Sequence, residues 1–302
     1  MRVGVLGRTR ALLDSIPALL NTGFQVSFIA TAQEESYYNC SAYEYQKYAE
    51  LLGIPYYFGK SQSKLIELAT RTQSDIAVSV NWPYLIREEL LSCFRYGILN
   101  GHCGDLPRYR GNATVSWAII NGEKSIAFTV HLMDQGLDSG PVYTQRVLTM
   151  SAEAYIGEVY EWMNTVAPLA FVESLQQVAK NIAPVKQDST VQVIRCFPRR
   201  DQDYKITWSQ EVSKIYALIR SYSSPFPGAY CTDDRNREIR ILKARPIRVP
   251  YIIYAVPGQI CELRNGCPLV ACRDCFELLL IEEVTIDGRF APLNLSMRSR
   301  LF

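Results

Sequence analysis

The sequence predicts an α/β fold, a Rossmann-like domain on a mostly parallel sheet followed by a small OB-like β-barrel domain. Three observations lead there. Over the first hundred residues, short apolar runs alternate with helical patterns, which is how a doubly wound sheet reads. Beyond Ile182 the texture turns polar and turn-rich, with Pro184, Asp188 and Ser189 marking a connection. From residue 228 onward, short strand patterns separated by turn signals suit a small β-barrel. The expected division is residues 1–185, a connecting segment with a helix over 186–227, and the β domain over 228–302.

The elements follow in order. Residues 3–6 are an apolar strand ending at Gly7, and Ala11, Leu12, Ile16, Leu19 and Leu20 then recur at helical spacing up to Gly23. A strand over 26–30 completes a βαβ opening. Gly7 lacks the further glycines of a dinucleotide fingerprint, which argues against a nicotinamide cofactor. Arg8 and Arg10 stand at this first strand-to-helix turn, either to hold a pyrophosphate or as a solvated helix start. Helices over 43–52 and 63–71 alternate with strands over 55–58 and 76–80. The loop Asn81, Trp82, Pro83, Tyr84, Leu85, Ile86 can wall a flat heteroaromatic ring or cover a sheet edge.

A strand over 96–101 leads into the polar segment, and strands over 125–133 and 142–148 flank a turn. His131 lies within the first of these without a patterned partner and reads as structural. A long helix over 153–180 carries Ile156, Val159, Tyr160, Met163, Val166, Ala167 and Ala170 toward the core, bent near Pro168. A helix over 211–221 precedes the β domain, whose strands read as 239–242, 258–261, 268–272 and 276–282. Cys272-x-x-Cys275 has ligand spacing, and Cys261 and Cys267 lie close by. Their strand context and the lack of a second close pair argue against zinc, so no metal is expected.

Composition narrows the class. With 302 residues and 48% hydrophobic content, the chain can bury a full core without disulfides. Nine scattered cysteines suit reduced thiols. The start MRVGVLGRTR enters a strand at once, and no apolar run approaches the ~20 residues a membrane span needs. A cytoplasmic protein without a membrane partner is expected. A net charge of +2 does not advertise a nucleic-acid partner.

The chemistry concentrates between Asn100 and Gly140. On a strand, residues i and i+2 face one side, so Asn100 and His102 present their polar ends together. An amide can stabilise an oxyanion while an imidazole takes a proton from an attacking amine. Asp138, among Gly136, Ser139, Gly140 and Pro141, lies in a turn that can return its carboxylate to the imidazole. A satisfied structural pair is the alternative reading of Asn-x-His.

The segment 100–117, with Asn-x-His, Leu-Pro-x-Tyr-Arg-Gly and a helix carrying Trp-Ala-Ile, resembles the signature of the 10-formyltetrahydrofolate-dependent formyltransferases. Leu-Asp-Ser-Gly-Pro at 137–141 resembles that family's Asp-x-Gly loop. One departure stands out: the family commonly has Ser-Leu-Leu-Pro after the His, and this chain has Gly104, Asp105, Leu106, Pro107, read as acceptor-side variation.

The resemblance implies a catalytic N-terminal domain, Asn100, His102 and Asp138 as catalytic trio, and 10-formyltetrahydrofolate as one-carbon donor. It places the folate against Trp82, Tyr84, Leu85 and Ile86 and against the loop of Met133, Asp134, Gly136 and Leu137. The run from Pro198 through Trp208 to Pro227-Gly228-Ala229 is similar to the enzymes that formylate nucleotide-linked amino sugars. The expected function is therefore sugar N-formyl transfer for surface polysaccharide biosynthesis, with Arg8, Arg10, Arg110, Asn112, Arg199 and Arg200 facing the substrate. Methionyl-tRNA formyl transfer is the alternative, and a basic track would favour it. A formyltetrahydrofolate hydrolase and a catalytically silent binding module are further alternatives. A homodimer through the β-rich tail is also expected.

Overall fold

Arg2–Gly7 forms β1, an interior strand of its sheet that is buried from Val3 onward. The computed structural model describes residues 1–35, 37–293 and 295–302. After β1 come α1 (Arg10–Asn21), β2 (Gln25–Thr31), α2 (Ala42–Leu52), β3 (Tyr56–Phe58), α3 (Gln62–Arg71), β4 (Ile76–Val80), α4 (Glu88–Leu91) and β5 (Ile98–His102). Local chemistry sets the helix ends. The Thr9 hydroxyl accepts from Leu12 N–H at the start of α1, and Ser41 with Glu44 forms a capping box on α2.

The chain continues through β6 (Tyr109–Gly111), α5 (Thr114–Ile120), β7 (Ser125–Leu132), β8 (Val142–Thr149), α6 (Ile156–Ala179) and β9 (Ile194–Cys196). The seven-stranded sheet runs β3-β2-β1-β4-β5-β7-β8. Pairings from β3 to β5 are parallel, and those of β5 with β7 and β7 with β8 are antiparallel. The expected mostly parallel α/β domain is thus present, with an antiparallel edge. β6 and β9 form a separate two-stranded parallel ladder that the local pattern did not announce. α6 contains Pro168, and its Met163, Ala167, Ala170, Phe171 and Leu175 are buried.

Two compact units share the chain. The first comprises Met1–Thr114, Ser125–Thr149 and Tyr160–Phe197; the second comprises Val115–Lys124, Met150–Val159 and Pro198–Phe302. The second contains α7 (Val212–Arg220), β10 (Ala229–Thr232), β11 (Glu238–Arg248), β12 (Ile260–Arg264), β13 (Cys267–Ala271), β14 (Glu277–Ile286) and β15 (Arg289–Phe290).

Its antiparallel sheet runs β10-β11-β14-β13-β12, with β15 beside β14. The bridges Asp233↔Leu301 and Gln259↔Arg300 tie the last residues to the end of β10 and the start of β12. Val212, Ile215 and Ile219 of α7 pack with Ile239, Ile241, Val270 and Leu279 in its core. Cys272 is buried and Cys275 exposed, and all nine cysteines are free. No helix of the described residues is long and apolar enough to cross a membrane.

Candidate active site

Asn100 and His102 stand two residues apart on β5, where the sheet changes from parallel to antiparallel pairing. Asn100 pairs with Ser79 on one side and with His131 on the other, and His102 pairs with Thr129. The turn after β7 brings back Asp138, whose φ of 48° is left-handed, a conformation uncommon outside glycine.

The carboxylate joins three groups. Asp138 Oδ2 lies 3.5 Å from His102 Nδ1 and accepts from Gly111 N–H at 2.9 Å, and Oδ1 lies 3.6 Å from His131 Nε2. The side chain of Asn100 meets the same cluster, its Nδ2 being 3.2 Å from His131 Nε2. The trio read from sequence therefore converges in space. His131, read as structural from its isolation in the sequence, stands at the centre of it.

Hydrogen-bond logic assigns the protons. His102 Nε2 lies 2.8 Å from the carbonyl of Tyr109, which can only accept, so Nε2 carries the hydrogen and Nδ1, facing Asp138, is the basic nitrogen. His131 Nδ1 lies 3.1 Å from the Leu132 carbonyl and so donates there. Its Nε2 then accepts from Asn100, which leaves the second N–H of the Asn100 amide for another acceptor.

Burial pushes the His102 imidazole below its ordinary value even though Asp138 pulls the other way. Burial pushes Asp138 up, but the His131 and His102 rings and Gly111 N–H outweigh it and hold the carboxyl at about 2. At neutral pH the pair is thus a neutral imidazole beside a carboxylate, ready to take up one proton. The neighbouring Cys103 thiol is pushed up to about 12 by burial and does not compete as a nucleophile.

Two glycines make this geometry possible. At Gly104 an added Cβ would stand 2.4 Å from His102 Nε2 and 2.5 Å from the Tyr109 carbonyl oxygen, so only glycine admits their hydrogen bond. At Gly111, φ is 100° and a Cβ would meet Cys196 O at 2.2 Å; glycine alone lets β6 lie against β9 with its N–H on Asp138. Gly104→Ala is expected to displace the imidazole and lower turnover by about tenfold or more. The same change should cost about 1–3 kcal/mol of stability, and steady-state kinetics with a thermal melt read both. Unchanged turnover would contradict this account of the site.

The remaining expected residues are more dispersed. Trp82 and Tyr84 meet edge to face at 5.7 Å, and Trp82, Ile86 and Met133 pack on the core cluster around Leu90, Leu91 and Ile98. Tyr84 and Leu85 are exposed. Asp134 accepts from Gly136 N–H at 3.0 Å and from Ser139 Oγ at 2.8 Å, which shapes the loop, and Gly136 and Leu137 are exposed on it. Met133 and Asp134 line a cavity of about 510 Å³ together with Leu91, Gly97, Leu132 and Gln135, while the 82–86 loop is not in that lining.

The guanidinium groups of Arg8, Arg10, Arg110 and Arg199 are engaged within the chain. Arg8 donates to the Asn81 and Gln33 carbonyls and pairs with Glu35, and Arg10 pairs with Asp14 and Glu44. Arg110 is bonded to Gln187, and the Asn112 N–H donates to Cys196 O. Arg199 lies over the rings of Trp117 and Tyr204 at 4.8 and 4.2 Å, and Arg200 N–H donates to Asp203. Among the described residues, no three His, Cys, Asp or Glu side chains are gathered to hold a metal.

Comparison with known proteins agrees with this geometry. Residues 31–175 match the formyl transferase family model, and residues 199–292 match the model of the formyl transferase C-terminal domain. A methionyl-tRNA formyltransferase of Thermodesulfovibrio yellowstonii is 26% identical over 91% of this chain and 89% of its own. One of Allorhizobium ampelinum is 30% identical over 74% of this chain and 72% of its own.

Among solved structures, HypX from Aquifex aeolicus in complex with tetrahydrofolic acid superposes with a TM-score of 0.69 at 17% identity. That match covers 95% of this chain, which spans 44% of the HypX chain. An N-formyltransferase from Helicobacter canadensis, in complex with folinic acid and dTDP-3-aminofucose, gives 0.68 at 18% identity over 92% of this chain and 98% of its own. These superpositions show a shared fold. The family models and the sequence relatives carry the stronger conclusion: this chain belongs to the formyltransferase family.

Proposed function

We propose that the chain transfers the formyl group of 10-formyltetrahydrofolate to a primary amine, with His102, Asn100 and Asp138 doing the chemistry. The observation that carries this reading is the convergence of an amide, a neutral imidazole and a carboxylate at the end of β5. The unprotonated amine attacks the formyl carbon, and a C–N bond forms. His102 accepts the amine proton at Nδ1, and Asp138 stabilises the imidazolium so formed. The free N–H of Asn100, aimed by His131, stabilises the negative charge developing on the formyl oxygen. The proton then passes to the folate nitrogen as its bond to the formyl carbon breaks, and tetrahydrofolate leaves. A cavity of about 510 Å³ with Leu91, Leu132 and Met133 on its wall, two carboxylates, Glu88 and Asp134, and Arg95 offers both apolar contact and polar partners to a flat heteroaromatic head group.

Two acceptor classes have support. The curated relatives carry the name methionyl-tRNA formyltransferase, and this favours an aminoacyl-tRNA over the acceptor expected from the sequence alone. A nucleotide-linked amino sugar, in surface polysaccharide biosynthesis, is favoured by the near-balanced charge of +2, because binding along tRNA draws on a track of Lys and Arg against phosphates. Formylation of charged initiator tRNA and of a panel of nucleotide-linked amino sugars by the purified protein, followed by mass spectrometry, separates them. Steep loss of activity with added salt accompanies the tRNA outcome. Transfer to neither acceptor class would overturn the reading as an N-formyltransferase of this kind.

A further inference from the structure

Gln187 follows α6 on an irregular stretch and is half-buried. Nothing in its sequence context, Pro-Val-Lys-Gln-Asp, marks it. Its side-chain amide is nevertheless saturated. Nε2 donates to the Asp138 carbonyl at 2.7 Å and to the Gly140 carbonyl at 2.8 Å, which uses both of its hydrogens. Oε1 accepts from Arg110 Nε at 3.2 Å and from Arg110 Nη2 at 2.6 Å. The guanidinium donates only, so it fixes which end of the amide faces the loop.

The same short strand, β6, meets Asp138 from the other side through Gly111 N–H on Oδ2. Asp138 therefore has its carboxylate held by residue 111 and its main chain held, through Gln187, by residue 110. A left-handed non-glycine residue persists only where its surroundings over-determine it, and these contacts do so.

We infer that Gln187 is a positioning residue for the transfer: locked by Arg110, its amide clamps the 138–140 loop and keeps the Asp138 carboxylate on His102. This rests on the reading of Asn100, His102 and Asp138 as the reacting trio. It gives Arg110 a role inside the protein, in place of the substrate contact expected from the sequence.

The consequence for His102 follows from what faces it, namely Asp138, His131, the Tyr109 carbonyl and Arg110. Asp138 and the Tyr109 carbonyl favour the imidazolium, and Asp138 is the larger of the two. If the clamp is lost and the carboxylate drifts away, the imidazole becomes harder to protonate and a weaker base. Gln187→Met keeps length and neutrality while removing both donors. It avoids the added charge of a glutamate and the loss of a cation that an Arg110 variant would bring, either of which would shift His102 by itself.

The test uses the full chain. Gln187→Met is expected to lower kcat by about tenfold or more and to leave KM for the formyl donor near the wild-type value. The acid limb of the pH profile moves to lower pH. A side chain that only filled space would lower thermal stability without moving that limb. Because the chain has two histidines, NMR titration follows His102 directly, and its pKa should fall in the variant. This readout stands even if the wild-type protein transfers no formyl group, so failure of the clamp and failure of the proposed reaction are distinguishable.

Where the variant does not fold, the wild-type protein is read alone. The side-chain amide protons of Gln187 should exchange with water far more slowly than those of the exposed Gln202. Wild-type kcat with an unmoved His102 titration in Gln187→Met, or equally fast amide exchange at Gln187 and Gln202, would overturn the inference.

Discussion

Replacing His102 by alanine is expected to lower kcat/KM for formyl transfer by about 10²–10⁴-fold, the usual worth of a positioned general base. The argument rests on proton assignment. The Tyr109 carbonyl fixes the hydrogen on Nε2, so Nδ1 alone is available to take the amine proton, and among the described residues His102 has one anionic neighbour, Asp138, to stabilise the result. Burial pushes the imidazole below its ordinary value, so the enzyme keeps its base neutral through neutral pH. In the wild-type protein, activity should fall only as pH drops through that lowered value. In His102→Ala this limb disappears along with most of the rate. Asp138 retains Gly111 N–H and His131, so the fold should persist, which a circular dichroism melt checks. Turnover near wild type in a folded His102→Ala protein would remove the imidazole from the mechanism.

Asp138→Asn should cost a comparable factor, up to about 10⁴-fold, because the anion that stabilises the imidazolium is gone. The amide oxygen would keep the Oδ2 position, where Gly111 N–H donates. The two substitutions carry different signatures. His102→Ala abolishes the acid limb, whereas Asp138→Asn moves it to lower pH, because the folded carboxyl, at about 2, is charged throughout the working range and its loss removes the largest influence that favours the imidazolium, leaving the Tyr109 carbonyl against burial, His131 and Arg110. A limb moving to higher pH in Asp138→Asn would mean that the carboxylate does not stabilise the imidazolium.

The sheet domain was legible in the sequence because its strands are short, apolar and separated by helices with ordinary caps, as at Ser41 and Gly53. The placement of Asn100 and His102 was legible too, since period two along a strand fixes a common face. What local pattern could not give is register between strands. His131 enters the cluster because β7 pairs antiparallel with β5 and sets it opposite Asn100, a relation across 31 residues. The signal that existed was a second histidine in a chain with only two, near the end of the next strand.

Gln187 and the β6 with β9 ladder are non-local in the same sense, as their partners lie 77 and 49 residues away from Gln187 in the chain for Arg110 and Asp138. The change to glycine at position 104 was visible as a departure from the family pattern, but its reason, room for the ring of His102, needed coordinates. In the second unit the strand pattern around 239–242 stopped short, whereas β11 runs to Arg248 through Pro246, with register shifts between Ile241, Lys243 and Ala244 that break the alternation.

Single-turnover transfer from a folate carrying an isotopically labelled formyl carbon tests the central claim most directly. With an acceptor amine present, one labelled formyl group should appear on the acceptor nitrogen for each tetrahydrofolate released, with His102→Ala silent under the same conditions. Labelled formate released at the same rate with no amine present, or transfer that persists in His102→Ala, would contradict it.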